Sequence, residues 1–167
     1  MLDWVREVIA RHKTHGILTD ASILLLLLVG TFDRDRIAKF KNTEKFAPED
    51  YDLLVGLLGR FDRIVVTPHV LTEVSNLAGQ LGEPARQKCM TLFGQLIGQF
   101  LEEAVPSVTA AQESVFPLLG LTDAGIAHLV ADKYPVITTD AVLCGILASR
   151  GIDAINFNHI RRASWKQ

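Results

Sequence analysis

Apolar positions along the chain form two alternating kinds of segment. Short runs rich in Val and Ile recur at residues 17–19, 64–66, 135–139 and 154–157, each bounded by Gly, Pro or acidic residues, and these predict buried strands. Between them lie longer stretches with apolar residues three and four apart, at 1–13, 48–58, about 69–77, about 83–104, 110–116, 122–131 and 142–149. That spacing puts the apolar side chains on one face of a helix. The longest stretch carries Cys89, Leu92, Phe93, Leu96, Ile97, Phe100 and Leu101 as its stripe. Residues 105–108 read as a further short strand, and Thr122 as the cap of the helix that follows it. Segment 22–29 is almost wholly apolar, so periodicity alone fits strand or helix. Its leucines, and its place directly after a strand, predict a nearly fully buried helix that stops at Gly30. Residues 34–46 are charged and read as a helix with a loop.

Strands alternating with helices predict an α/β protein whose mostly parallel sheet is covered on both faces. The 167 residues suit one domain. With 49% hydrophobic and 22% charged residues, disorder is excluded as the main state. A formal charge of −2 also argues against a generic polyanion binder, so any nucleic acid must be handled locally. Cys89 and Cys144 are too few for a disulfide framework or a zinc site and read as buried reduced thiols. The leucine run is bounded by Asp20 and Asp33, short of the roughly 20 residues of a spanning helix. The N-terminus alternates Asp3, Arg6, Glu7 and Arg11 rather than forming a signal peptide. A cytoplasmic location without membrane contact is the expectation.

Four acids stand at informative places. In an open parallel sheet, ligands collect at the carboxyl ends of the strands. Asp20 closes the first strand and Asp140 the one at 135–139, Glu73 follows shortly after the strand at 64–66, and Asp123 follows Thr122 in the first turn of a helix. Taken singly, Asp20 and Asp140 also read as helix N-caps, Glu73 as a solvated helix residue and Asp123 as an acid suited to the helix dipole. Taken together, the fold would bring four carboxylates to one rim. Two carboxylates about 4 Å apart repel by roughly 4 kcal/mol at an effective dielectric of 20. No Lys or Arg adjoins any of them in the sequence, so a divalent cation is the cheapest neutraliser, and all-oxygen ligation favours Mg²⁺ or Mn²⁺ over zinc.

The segments 18–24 (LTDASIL), 72–77 (TEVSNL), 121–126 (LTDAGI) and 137–140 (ITTD) resemble, in order, the four motifs of PIN-domain ribonucleases, including VapC-like toxins and stand-alone PIN proteins. The resemblance covers residues 16–160. It leaves 1–15 as an N-terminal helical extension and 161–167 as a basic tail with Arg161, Arg162 and Lys166. It implies a three-layer α/β/α sandwich with a five-stranded parallel sheet and a site for one or two Mg²⁺ or Mn²⁺ ions held by Asp20, Glu73, Asp123 and Asp140. It also implies an RNA substrate, an antitoxin as protein partner where the chain is a toxin, and a homodimer.

On this reading the reaction is hydrolysis of RNA phosphodiester bonds. Asp20 and Asp123 are expected as direct ligands, Asp140 as a ligand directly or through water, and Glu73 as a ligand or the base for the attacking water. Thr139, and with it Thr19 or Ser22, would donate a hydroxyl to a carboxylate or a phosphate, or cap a helix. Arg34, Arg36 and Lys39, with Lys41 and Lys45, read either as a solvated mixed-charge face or as a patch tracking phosphates. Phe40 suits core packing and Trp165 suits base stacking. His69, four residues before Glu73, is a candidate to support that acid. A phosphatase or receiver would want a second acid near Asp20 or a later strand-end lysine, and neither is present. A catalytically lapsed PIN-like scaffold binding RNA or a protein would have no reason to keep four mutually repelling acids.

Overall fold

The computed structural model describes residues 2–131 and 133–164; Trp165 and Lys166 lie outside the described residues. Among these the chain order is α1 (Asp3–His12), β1 (Ile17–Thr19), α2 (Ala21–Phe32), a 3-10 helix (Arg34–Lys39), α3 (Pro48–Leu58), β2 (Ile64–Val66), α4 (Pro68–Ala78), α5 (Ala85–Ile97), β3 (Leu101–Glu102), α6 (Ser107–Ala111), α7 (Phe116–Leu129), β4 (Val136–Thr138), α8 (Ala141–Ser149), β5 (Ala154–Asn156) and α9 (Phe157–Ser164). The five strands form one all-parallel sheet in the order β3-β2-β1-β4-β5. Connections from β1 to β2 to β3 run one way along the sheet, and those from β3 to β4 to β5 run the other. Right-handed crossovers therefore place α2–α5 on one face and α6–α8 on the opposite face. The result is the expected three-layer α/β/α sandwich. The order reverses between β1 and β4, which pair with Leu18 opposite Val136 and Thr19 opposite Ile137. A crevice opens beyond the carboxyl ends of strands at such a switch point.

The core explains the leucine run. In α2, Ile23, Leu24, Leu25, Leu26, Leu28 and Val29 are essentially inaccessible, because the helix lies against β4 on one side and α3, α4 and α5 on others. The helix continues through Gly30 to Phe32 instead of stopping at the glycine. A Cβ at Gly30 would lie 2.2 Å from Cδ2 of Tyr51, so the glycine makes room for a ring of α3. Gly30→Ala is expected to cost about 1–3 kcal/mol by overpacking, measured by urea unfolding. An unchanged midpoint would mean that the Tyr51 ring is free to move away.

Four other boundaries differ from expectation. Helix α5 ends at Ile97 with Gly98 as its C-cap, and the edge strand is Leu101–Glu102, pairing with Val65 and Val66. Residues 105–108 form no strand; Val105 instead buries its side chain in the core. The apolar stripe runs on past Gly98 because Phe100 and Leu101 still pack against the core from a turn and a strand. Helix α7 begins at Phe116, six residues before Thr122, and is broken at Gly120, whose φ of 79° lies in the left-handed region. The 110–116 helix is shifted to Ser107–Ala111.

At the ends, α1 buries Val5 and Val8 in the common core, and Arg11 and His12 pair with Asp153 just before β5. Arg161 lies inside α9 with its side chain only 12% exposed. Among the described residues no helix is long and apolar enough to cross a membrane. Cys89 is buried and Cys144 half-buried, both as free thiols whose pKa burial pushes up.

Candidate active site

Asp20, Glu73, Asp123 and Asp140 line one cavity of about 370 Å³ together with Ala21, Ser22, Lys45 and Thr139. Each acid arrives on a different element. Asp20 caps α2 directly after β1, and Asp140 caps α8 two residues after β4. These two strands flank the switch point. Glu73 projects from α4, the helix that follows β2, and Asp123 from the part of α7 after the Gly120 break. Helices α4 and α7 touch one another although they belong to opposite layers.

The four carboxylates divide into two pinned and two free. Asp20 is buried, and its Oδ1 accepts hydrogen bonds from the Ile23 amide (2.8 Å) and the Ser22 hydroxyl (3.2 Å). Its Oδ2 accepts from the Thr138 hydroxyl (2.5 Å) and the Thr139 amide (3.4 Å). Burial pushes the Asp20 carboxyl above the ordinary aspartate value, and these hydrogen bonds act in the opposite direction. Asp140 holds Oδ1 on the amides of Val142 (2.7 Å) and Leu143 (3.0 Å), the N-terminus of α8. Glu73 and Asp123 accept no hydrogen bond from a described residue. Asp123 is pushed up to about 7, first by burial and then by the charges of Asp20, Asp140 and Glu73. Asp123 does not sit in the first turn of α7, which begins at Phe116, and Thr122 makes no capping bond.

Asp123 makes metal-free stability depend on pH with a definite sign. Its folded pKa of about 7 lies above the ordinary aspartate value of 3.8, so folding takes up a proton between those values. The stability contributed by this group is complete below the lower value, declines as pH rises and is lost above about 7. Thermal melts in EDTA should therefore show wild type losing ground to Asp123→Asn from about pH 4 to pH 7. Two curves that remain parallel would refute the placement of this acid among the other three.

All four acids offer oxygen donors only, which suits Mg²⁺ or Mn²⁺. Among the described residues no three His, Cys, Asp or Glu side chains already close into a ligand group. The donor chemistry and the uncompensated charge at Asp123 fit a divalent ion. Closing on one would fall to Glu73 and Asp123, which no hydrogen bond from a described residue holds, with Asp20 and Asp140 as the pinned side.

The other expected residues separate clearly. Ser22 and Thr139 lie at the cavity, with their hydroxyls 2.8 Å apart. Thr19 is fully buried, and its hydroxyl has no partner among the described residues. Arg34, Arg36 and Lys39 do not line the cavity: Arg34 forms a two-point pair with Asp52, Arg36 pairs with Asp33 and lies over the Phe32 ring, and Lys39 is exposed on the 3-10 helix. Phe40 is buried in the core. His69 bonds to Ser107 rather than to Glu73. The cation that does reach the acids is Lys45, whose Nζ donates to the Thr139 hydroxyl at 3.3 Å. No signal in the chain distinguishes it from Lys39 or Lys41, because the contact spans 94 residues.

Compared with known proteins, the chain matches no protein-family model and no curated protein.

Proposed function

We propose that this chain is a PIN-like, divalent-metal-dependent ribonuclease that hydrolyses RNA phosphodiester bonds. The supporting observation is that Asp20, Glu73, Asp123 and Asp140, from four separate segments, line a single cavity at the switch point of a parallel sheet. The choice of RNA rests on the motif resemblance. Asp20 and Asp123 would hold the ion, with Asp140 beside them. A bound Mg²⁺ or Mn²⁺ supplies Lewis acidity to water and phosphate and offsets charge on the leaving oxygen. Hydrolysis joins the water oxygen to phosphorus as the bond to the leaving oxygen breaks. Glu73, with no hydrogen bond to a described residue, takes the water proton. Ser22 and Thr139 keep Asp20 oriented: Ser22 bonds its carboxylate and pairs with the Thr139 hydroxyl, and the Thr139 amide bonds Oδ2.

The scaffold alternative has less support, because the like charges that raise Asp123 make the quartet costly to keep without a cation. The test is cleavage of a labelled RNA by the purified chain. Cleavage should require added Mn²⁺ or Mg²⁺, stop with EDTA and disappear in Asp20→Asn. Absence of cleavage in saturating Mn²⁺, or full activity in Asp20→Asn, would refute the reading.

A further inference from the structure

We propose that Lys45 is a catalytic residue of this site, its ammonium contacting a non-bridging oxygen of the scissile phosphate across from the carboxylates; this rests on the ribonuclease reading above.

Lys45 is the one cation among the described residues that line the cavity. Surrounded by acids, it would be expected to neutralise one of them. Yet it makes no ion pair within 4 Å with a described carboxylate; its Nζ rests on the Thr139 hydroxyl and 5.1 Å from the Phe46 ring centroid. Asp20 is already engaged, since both its oxygens accept hydrogen bonds from Ser22, Ile23, Thr138 and Thr139. The ammonium therefore retains donors for something else.

The surroundings hold this lysine in place. Its carbonyl accepts from the Arg161 guanidinium at 2.8 Å. That guanidinium lies over the buried Phe46 ring (5.0 Å to the centroid), pairs with fully buried Asp50 (2.8 Å) and donates to Asn158 Oδ1 (3.1 Å). Asn158 in turn donates to the Thr139 carbonyl at 3.1 Å. Two neighbouring residues of α9 thus clamp both partners of the Lys45–Thr139 contact. A long side chain on an exposed rim ordinarily has no such support. The backbone that carries the ammonium and the backbone of its Thr139 partner are thus fixed by the fold, a form of preorganisation.

The ligand chemistry follows from charge. A phosphodiester is an anion entering a cavity of four carboxylates, so it needs a cation that the carboxylates do not consume. A lysine ammonium is a compact point charge with three donors, suited to phosphate oxygens. Arg34 and Arg36 do not supply that charge, since each is paired with an aspartate of its own.

The test compares Lys45→Met, which keeps the stem against Phe46, with Lys45→Arg, which keeps the charge. With RNA saturating and Mn²⁺ present, Lys45→Met should cleave about 100-fold more slowly than wild type, and Lys45→Arg within about tenfold of it. RNA affinity is read separately, by fluorescence anisotropy of a labelled single-stranded RNA in EDTA. Lys45→Met should bind about tenfold more weakly, with a salt slope reduced by about 0.7, the loss of one phosphate contact. Mn²⁺ affinity of the RNA-free protein, measured by calorimetry, should be unchanged or tighter.

If Lys45→Met cleaves within threefold of wild type while Asp20→Asn is inactive, the lysine proposal falls and the ribonuclease reading stands. A wild-type salt slope in Lys45→Met, or a tenfold loss of Mn²⁺ affinity, would overturn it as well, the latter by making Lys45 an organiser of the acids. If wild type itself cleaves no RNA, the ribonuclease reading fails and takes the proposal with it.

Discussion

Asp20→Asn should abolish Mn²⁺-dependent RNA cleavage, since it removes a ligand of the proposed ion, without unfolding the protein. The asparagine retains an oxygen for the Ile23 amide, so α2 keeps its N-cap. The Thr138 hydroxyl, which now donates to Oδ2, can turn and accept from the new amide. The Thr139 amide, at 3.4 Å, loses a long hydrogen bond. Against these small losses, the change removes a charge from a site where burial already disfavours it, and it relieves Asp123 of one repulsive neighbour. Melting in EDTA at neutral pH should therefore match or exceed wild type, while the rise in melting temperature produced by Mn²⁺ should vanish. Single-turnover cleavage and paired thermal melts measure both. A wild-type rate with titrated Mn²⁺ would remove Asp20 from the site.

The largest stability effect is expected at Arg161. Asp50 is fully buried in the first turn of α3, where Oδ2 accepts the Ala47 amide at 2.8 Å and pairs with Arg161, while Oδ1 has no hydrogen-bond partner among the described residues. Removing the guanidinium leaves that carboxylate buried without its counter-charge, which costs about 3–5 kcal/mol. Arg161→Met should show this loss in urea unfolding at neutral pH. The double change Asp50→Asn with Arg161→Met should recover most of it, because no buried charge then remains. A loss below about 1 kcal/mol would place the pair in the class of solvent-screened ion pairs. The same change removes the partner of the Lys45 carbonyl, so cleavage should fall along with stability.

Four of the five strands were legible because Val and Ile runs closed by Gly, Pro or Asp carry a strong local signal. Leu101–Glu102 was not, since a two-residue edge strand has no periodicity and followed an apolar stripe that mimicked a longer helix. The early start of α7 was hidden in the same way: Gly120 breaks the helical geometry without ending the helix. Asp20 and Asp140 were legible because an acid after a strand and before a helix marks both a cap and the carboxyl edge of a parallel sheet. Between a solvated face and a phosphate-tracking patch at Arg34, Arg36 and Lys39 the sequence could not choose, because charge in a segment does not reveal where a long side chain points. Their neighbours Asp52 and Asp33 engage the two arginines, and Lys45 alone turns inward.

The chain by itself pointed to the parallel sheet, the buried leucine helix and the four acids, two of them at strand ends that are also helix caps. Burial periodicity and capping act over a few residues, so they are written in consecutive positions. Tertiary structure alone decided which acids are pinned and which are free, and how far burial and like charge raise Asp123. It also decided which of several lysines shares their cavity. Those properties depend on desolvation and on distances across packed elements, set by the strand order that folds α4, α7 and α9 around the same edge of the sheet.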